Sequence, residues 1–167
     1  MSLFEDSHYR WRETYFVLFP AKKRPRLDSV TKMLTALNKR FELTNLNADD
    51  EGLLDSLTLI SHDDFAALDI CYTEGAEVIE QSEVLVDDLK KAGLEGPPPV
   101  SWEQIKRYDG RLDVLHFEQV GDEGGEGSED DDLLDPSALL VVLSALAKHT
   151  GGVALDPQAG TFITEED

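Results

Sequence analysis

Cysteine is nearly absent from this chain, because Cys71 is the only one among its 167 residues. A single cysteine excludes an intramolecular disulfide and every zinc site that is built from several cysteines. Long apolar runs are absent too: the longest, residues 138–147, is interrupted by Ser144 and is well short of the ~20 residues that a membrane-spanning helix needs. The N-terminal residues lack the apolar segment of a secretory signal. We therefore expect a soluble, cytoplasmic protein.

Positive charge is scarce and concentrated at one end of the chain. Fifteen Lys and Arg face 35 Asp and Glu, which gives a formal net charge of −20. Nine of the fifteen cations, and only four of the acids, lie in residues 1–40. Because proteins bind the nucleic-acid backbone through Lys and Arg, direct binding to nucleic acid is not expected. A protein partner with a basic surface fits this charge.

The sharpest acidic stretch, GDEGGEGSEDDD at residues 121–132, has seven acids and no apolar residue. An EF-hand calcium loop would need acids at fixed alternating positions between two helices, and this stretch lacks that spacing. A segment that is too polar to bury apolar surface stays outside the core. We therefore predict a flexible acidic loop.

Hydrophobic periodicity predicts four helices and seven strands. Apolar residues at helical spacing predict helices over residues 29–40, 76–92, 101–108 and 136–148. Short apolar or alternating runs predict strands over residues 14–19, 41–45, 57–61, 67–72, 111–119, 153–156 and 161–164. The first strand, TYFVLF, is apolar on both faces, which is typical of a central strand. In the fourth strand, Leu68 and Ile70 share one face, while Asp69 and Cys71 share the other.

Several of these strands follow one another without a helix between them, which favours antiparallel pairing. We therefore predict an α+β fold: a mostly antiparallel sheet with helices on one face and a ferredoxin-like β-α-β-β start. Residues 1–167 are expected to form a single domain. The GPPP sequence at 96–99 is the point where two subunits, 1–95 and 100–167, would divide. One shared sheet is favoured, because the last helix is apolar nearly all round and needs cover on more than one side.

The basic loop after the first strand is a candidate anion-binding site. It contains Lys22, Lys23, Arg24 and Arg26, and it precedes a predicted helix, whose free N–H groups and dipole attract anions. A phosphate or an acidic peptide is the ligand class that such a loop would bind. The alternative is a solvated loop in which Asp28 caps the helix, since no glycine allows the close backbone approach of a P-loop.

Acidic residues between Asp49 and Asp69 form a candidate metal site. Asp50, Asp63 and Asp69 would have to converge at one edge of the sheet to bind Mg²⁺ or another divalent ion. Their spacing matches no catalytic motif, and aspartates in turns often serve the turn itself. The alternative is that these carboxylates only shape loops, and no cofactor is predicted.

No catalytic motif stands out in the sequence. The four histidines form no close pair, and Cys71 fits a small strand residue better than a nucleophile. His116 is predicted at the edge of the core, where Asp113 or a backbone group satisfies its ring. We hypothesise a non-enzymatic protein-binding or regulatory domain that offers a sheet edge or its acidic surface to a partner. The alternative is a small metal-dependent hydrolase, or an enzyme that handles a phosphate ligand, which uses the Asp49–Asp69 carboxylates.

Overall fold

The computed structural model describes residues 9–93, 98–119 and 137–163 of the chain. Within these residues, seven strands and four helices follow one another in the order that the periodicity predicts. The strands are β1 (Tyr9–Phe19), β2 (Glu42–Ala48), β3 (Leu54–Ser61), β4 (Ala66–Glu74), β5 (Gly110–Gln119), β6 (Val153–Asp156) and β7 (Thr161–Ile163). The helices are α1 (Leu27–Leu37), α2 (Ala76–Ala92), α3 (Trp102–Lys106) and α4 (Ser137–Thr150). The acidic loop predicted at residues 121–132 lies outside the described residues.

The strands form one antiparallel sheet in the order β2-β3-β4-β5-β1-β6-β7. β5 pairs with β4 on one side and with β1 on the other. Strands from before and after the GPPP sequence are therefore interleaved in the same sheet. The α+β class and the antiparallel pairing are confirmed.

The ferredoxin-like start is not confirmed. In a split β-α-β unit, one strand lies between the two parallel strands that flank the helix. Here β3, β4 and β5 all lie between β1 and β2, the strands on either side of α1. β1 pairs instead with β5 and β6, which both follow α2 in the chain. The strand order thus depends on where the later strands insert, which the local β-α-β-β pattern does not contain.

The helices cover both faces of the sheet, so the prediction that they lie on one face is wrong. α1 and α4 pack in one apolar cluster with Val17 and Phe19 of β1, whereas α2 and α3 pack in another with Leu18. Because successive residues of a strand point to opposite faces, the two clusters lie on opposite sides of the sheet. The cause is the TYFVLF sequence itself: a strand that is apolar on both faces must be covered on both.

The helix ends that the sequence predicts agree most closely with the structure in α2 and α3. α2 begins and ends where the sequence predicts, and Gly93 after it has φ +74°, a left-handed conformation that glycine adopts without strain. At the start of α3, the Ser101 hydroxyl accepts a hydrogen bond from the Gln104 N–H, as the S-x-x-Q sequence of residues 101–104 predicts for an N-cap. α1 is displaced toward the N-terminus, with Arg26 at its N-cap and Asp28 in its first turn rather than at the cap.

The edge strand β2 is longer and less regular than predicted. The sequence predicts a loop from Asn47, yet Asn47 pairs with Ser56 of β3. The register shifts between Thr44 and Asn47, and Asn45 between them has φ 52°. A bulge of this kind on an edge strand hinders pairing with a strand of another chain. The bulge therefore argues against β2 as the sheet edge to which a partner strand would bind.

Candidate binding sites

The four cations of the basic loop point to four different surroundings. The loop between β1 and α1 contains a short 3-10 turn, Ala21–Lys23, followed by the buried Pro25. The turn and the proline change the chain direction within a few residues, so neighbouring side chains leave it in different directions. The predicted set of Lys22, Lys23, Arg24 and Arg26 therefore does not form a single site.

Arg24 is enclosed by acids. Its Nη1 lies 3.2 Å from Oδ2 of Asp49 and 3.7 Å from Oε1 of Glu74, and its Nη2 donates to Asp55. The guanidinium also donates through Nε to the Leu54 carbonyl (3.0 Å) and stacks 4.2 Å from the ring centroid of Tyr72. The Arg24 side chain is only 12% exposed. It binds the loop to the ends of β3 and β4, and its donors are already occupied.

Arg26 is also occupied, but less fully, and Lys23 lies near a helix end. Arg26 lies 3.3 Å from an Asp28 oxygen and donates to the Glu51 carbonyl at 3.2 Å, with a side chain that is 57% exposed. The Lys23 ammonium lies beside Gly151, just after the C-terminal end of α4. A cation there is favoured by the negative end of the helix dipole. Both residues serve local structure.

Lys22 lines a cleft of about 370 Å³ between the 3-10 turn and α3, together with Pro20, Gln104, Arg107, Tyr108 and Asp109. We call it the Lys22–Arg107 cleft. Within the part of the chain that the structure describes, neither Lys22 nor Arg107 forms an ion pair. Sequence reasoning missed Arg107, because only the tertiary packing brings it to the basic loop. In the sequence, Arg107 is a single cation near the C-terminal end of a predicted helix. The helix dipole favours a cation at that position, so the sequence alone does not indicate a binding site there.

The three predicted metal ligands are not brought together. Asp50 lies in the β2–β3 turn and Asp63 in the β3–β4 turn, at opposite ends of the eight-residue β3, so roughly 25 Å separates the two turns. Asp69 lies in the middle of β4, where it accepts a hydrogen bond from Thr58 at 2.5 Å. Among the residues of the three described ranges, no group of three His, Cys, Asp or Glu could hold a metal ion.

Asp63, Asp69 and Asp49, the neighbour of Asp50, have structural partners instead. Asp63 pairs with Arg40 at 2.9 Å. Asp49, next to Asp50, accepts hydrogen bonds from the Glu51 and Leu53 N–H groups, both at 2.9 Å. The hydrogen bond from Leu53 is the main cause of a lowered pKa of Asp49, to which the charge of Arg24 also contributes. The alternative that the acids shape turns describes these contacts well.

A buried histidine contacts a glutamate in the sheet where β1 meets β5. His116 is 1% exposed, and its Nδ1 lies 2.8 Å from Oε1 of Glu13 on the opposite strand. The sequence predicts Asp113 or a backbone group as its partner, whereas the β1–β5 register places Glu13 opposite it. The Nε2 atom of His116 is buried and has no hydrogen-bond partner among the described residues. Only the register of β1 against β5 identifies these two residues as partners, because no local sequence pattern joins them.

Glu118, two residues along on the same side of β5, is also buried, with a side chain that is 3% exposed. It pairs with Arg10 and Arg12 of β1. Neither of the clefts described here includes His116 or Glu118. The contacts of His116 with Glu13, and of Glu118 with the two arginines, thus join β1 to β5 at this end of the sheet. Their role is structural.

Cys71 is a poor nucleophile in its surroundings. The thiol belongs to β4 and is exposed on the sheet, but partial desolvation of its sulfur by the surrounding atoms, together with the charges of Asp69 and Asp113, raises its pKa above the ordinary value of 9.0. A raised pKa lowers the thiolate fraction at neutral pH, and the thiolate is the reactive form. The sequence expectation of an unreactive strand residue agrees with this environment.

The outer face of α2 is acidic with an apolar centre. Val84 is 62% exposed, the most exposed of the large hydrophobic residues described. A shallow, open depression of about 450 Å³ lies beside it, and the described residues that line it all belong to α2: Glu80, Gln81, Val84, Leu85 and Asp88. In the described residues, Glu80 and Asp88 have no basic partner, whereas Asp87 lies 3.9 Å from Lys106. We call this surface the α2 groove.

Comparisons of the chain with protein-family models, with curated proteins and with solved structures gave no match. None of the helices in residues 9–93, 98–119 and 137–163 is long and apolar enough to span a membrane.

Proposed function

We propose that this chain is a non-enzymatic protein-binding domain whose α2 groove binds a basic, amphipathic segment of a partner protein. The observation that carries the proposal is Val84, which is 62% exposed between acidic side chains. A partner segment that covered the Val84 side chain would remove apolar surface from water, which favours binding. The carboxylates of Glu80 and Asp88 beside it have no basic partner among the described residues, and they select a cationic partner.

The charge of the whole chain supports the same partner class. A net charge of −20 raises the rate at which a basic segment meets the protein, and it repels acidic competitors. Unlike the edge strand β2, whose bulge hinders strand addition, α2 is regular over seventeen residues. The α2 groove is therefore a better binding surface than the sheet edge.

The metal-dependent hydrolase is the weaker proposal. It requires Asp50, Asp63 and Asp69 to converge, and the ends of β3 hold two of them apart. If it were nevertheless correct, millimolar Mg²⁺, Mn²⁺ or Ca²⁺ would raise the melting temperature by mass action. No shift is expected with any of the three ions.

The test is binding of a fluorescent helical peptide in which lysines flank a leucine stripe. We expect measurable binding, and we expect Glu80→Lys with Asp88→Lys to weaken it by more than about tenfold, since two favourable charges become repulsive. Val84→Ser should weaken it by about threefold through lost apolar contact. Fluorescence anisotropy at fixed ionic strength measures both effects.

The control carries the same change of charge elsewhere. Asp50→Lys with Glu51→Lys lies in the exposed β2–β3 turn and is expected to weaken binding by less than about twofold. Equal losses in the two double variants would mean that the peptide senses only net charge, and the proposed α2 groove would be wrong. Circular dichroism of each variant confirms that it is folded.

A further inference from the structure

We infer that the Lys22–Arg107 cleft binds the phosphate group of a small ligand. Arg107 is the starting point, because the other six arginines of the chain all form ion pairs with acids. Arg107 has no acidic partner among the residues that the structure describes, although acids outnumber cations by more than two to one. A planar guanidinium that presents several unoccupied donors is suited to binding an oxyanion at two points.

The second cation comes from a different element. Lys22 belongs to the 3-10 turn after β1, and Arg107 is the C-cap residue of α3. Both line the same cleft of about 370 Å³. Two unpaired cations from separate elements repel each other across such a space, and an anion between them removes that repulsion.

The polar groups of the cleft add a donor. The Gln104 Nε2 donates to the Tyr108 hydroxyl oxygen at 3.1 Å. The hydroxyl proton of Tyr108 therefore remains available, since that hydrogen bond uses its oxygen as the acceptor. Tyr108 is 3% exposed, so packing fixes its hydroxyl in place. A phosphate oxygen in the cleft would accept from it.

Asp109, the acid in the cleft lining, is already engaged. Its Oδ1 accepts a hydrogen bond from the Ala21 N–H at 2.7 Å, which joins the 3-10 turn to the start of β5. This contact fixes the two walls of the cleft relative to each other. With Lys22 and Arg107 positive and Asp109 negative, the cleft has one excess positive charge in a strongly acidic protein.

The volume of the cleft limits the size of the ligand. Clefts that bind small molecules have volumes of about 300–1,000 Å³, and 370 Å³ lies at the lower end of that range. A phosphate monoester with a short organic group fits this volume and supplies a charge close to −2 at neutral pH. Of the four cations of the basic loop, only Lys22 lines this cleft, and the second cation, Arg107, is supplied by the end of α3.

The test uses inorganic phosphate and glycerol 3-phosphate, titrated by isothermal calorimetry at constant ionic strength. Both are expected to bind, glycerol 3-phosphate the more tightly, and acetate at the same concentration is not. Arg107→Ala and Lys22→Ala are each expected to lower the affinity by about tenfold, the loss of one charge-assisted contact. Tyr108→Phe should lower it by about threefold.

Lys32→Ala is the matched control, because Lys32 is an exposed lysine of α1 that lies outside the cleft. It should leave the affinity unchanged. Absence of binding up to about 10 mM phosphate, which is weaker than any specific small-ligand site, would overturn the inference. So would equal binding by the wild-type protein and the Arg107 and Lys22 variants, which would place the anion elsewhere.

The inference stands apart from the proposed function. The α2 variants Glu80→Lys and Asp88→Lys carry no cleft residue, and the cleft variants leave the α2 groove intact. Loss of peptide binding with phosphate affinity retained, or the reverse, therefore identifies which of the two sites has failed.

Discussion

Arg24 and Lys22 are two residues apart in the chain, and their surroundings differ completely. Arg24 is 12% exposed and contacts three carboxylates, a carbonyl and an aromatic ring. Lys22 is exposed, lines a cleft and has no acidic partner among the described residues. In an acid-rich protein, a cation that is surrounded by acids has a structural role. A cation that the fold leaves without acids is the one that can bind an external anion.

The largest expected effect is a difference in the free energy of unfolding between variants of Arg24 and Lys22. Arg24→Met should lower the free energy of unfolding by about 2 kcal/mol, because three neighbouring carboxylates would lose their shared cation. The value is below that of a fully buried pair, since Asp55 and Glu74 are each about half exposed, at 51% and 53%. Urea unfolding at neutral pH, followed by circular dichroism, measures it.

Lys22→Met is the matched control for that experiment and should change the free energy of unfolding by less than about 0.5 kcal/mol. Equal losses for Arg24→Met and Lys22→Met would show that the two cations do not differ in structural role, and the comparison would fail.

A second effect appears on acidification. The pKa of Asp49 is lowered in the folded protein, chiefly by the Leu53 N–H and also by Arg24, so its ionised form stabilises the fold. This contribution is complete above its ordinary value of 3.8 and is lost as the pH falls through the lower folded pKa. Asp49→Asn keeps the oxygen acceptor but removes the charge, and its melting temperature should fall less steeply below about pH 4.

Asp50→Asn provides the reference for this pH series. Asp50 has no hydrogen bond or ion pair among the described residues, so its variant should keep the wild-type slope between melting temperature and pH. If Asp49→Asn and Asp50→Asn gave the same slope, the carboxylate of Asp49 would not be linked to stability in the way that its contacts indicate.

A third change would give the unpaired cations a partner. Gln104→Glu places a carboxylate in the cleft lining beside Lys22 and Arg107 and should lower phosphate affinity by about threefold to fivefold. Stability should change by less than about 0.5 kcal/mol, since Tyr108 can donate to the new carboxylate. Calorimetry and urea unfolding distinguish the two readouts, and an increase in phosphate affinity would contradict the cleft assignment.

The smallest effect is expected at Arg26. Its pair with Asp28 is more than half exposed on both sides, and exposed pairs contribute about 0–1 kcal/mol. Arg26→Ala should therefore lower the free energy of unfolding by no more than about 0.5 kcal/mol. A loss as large as that of Arg24→Met would mean that exposure does not distinguish the cations of this loop.

Features that depend on neighbouring residues were predicted well. The order of strands and helices, the bounds of α2 and the Ser101 cap follow from periodicity and end signals within a few positions. The alternation in β4 also agrees: Leu68 and Ile70 are buried, whereas Asp69 is partly exposed and Cys71 is exposed. Each of these features depends on residues close together in the chain, so it can be predicted without knowledge of the tertiary contacts.

Features that depend on distant residues were not predicted. His116 pairs with Glu13, 103 positions away, through the register of β1 against β5. Arg107 and Lys22 line the same cleft because the fold places the end of α3 near the 3-10 turn. The carboxylates that the sequence grouped are held apart by the length of β3. Spacing along the chain does not report any of these separations.

The sequence by itself determined the elements, their order and the apolar character of β1, because hydrophobic periodicity and capping act over one or two turns of chain. Only the tertiary structure decided that β5 inserts between β4 and β1, which helices cover each face, and which cations of the basic loop meet acids. The physical reason is that strand register and ion pairing join residues far apart in sequence, where a few ångströms decide whether a charge is neutralised or left to bind a ligand.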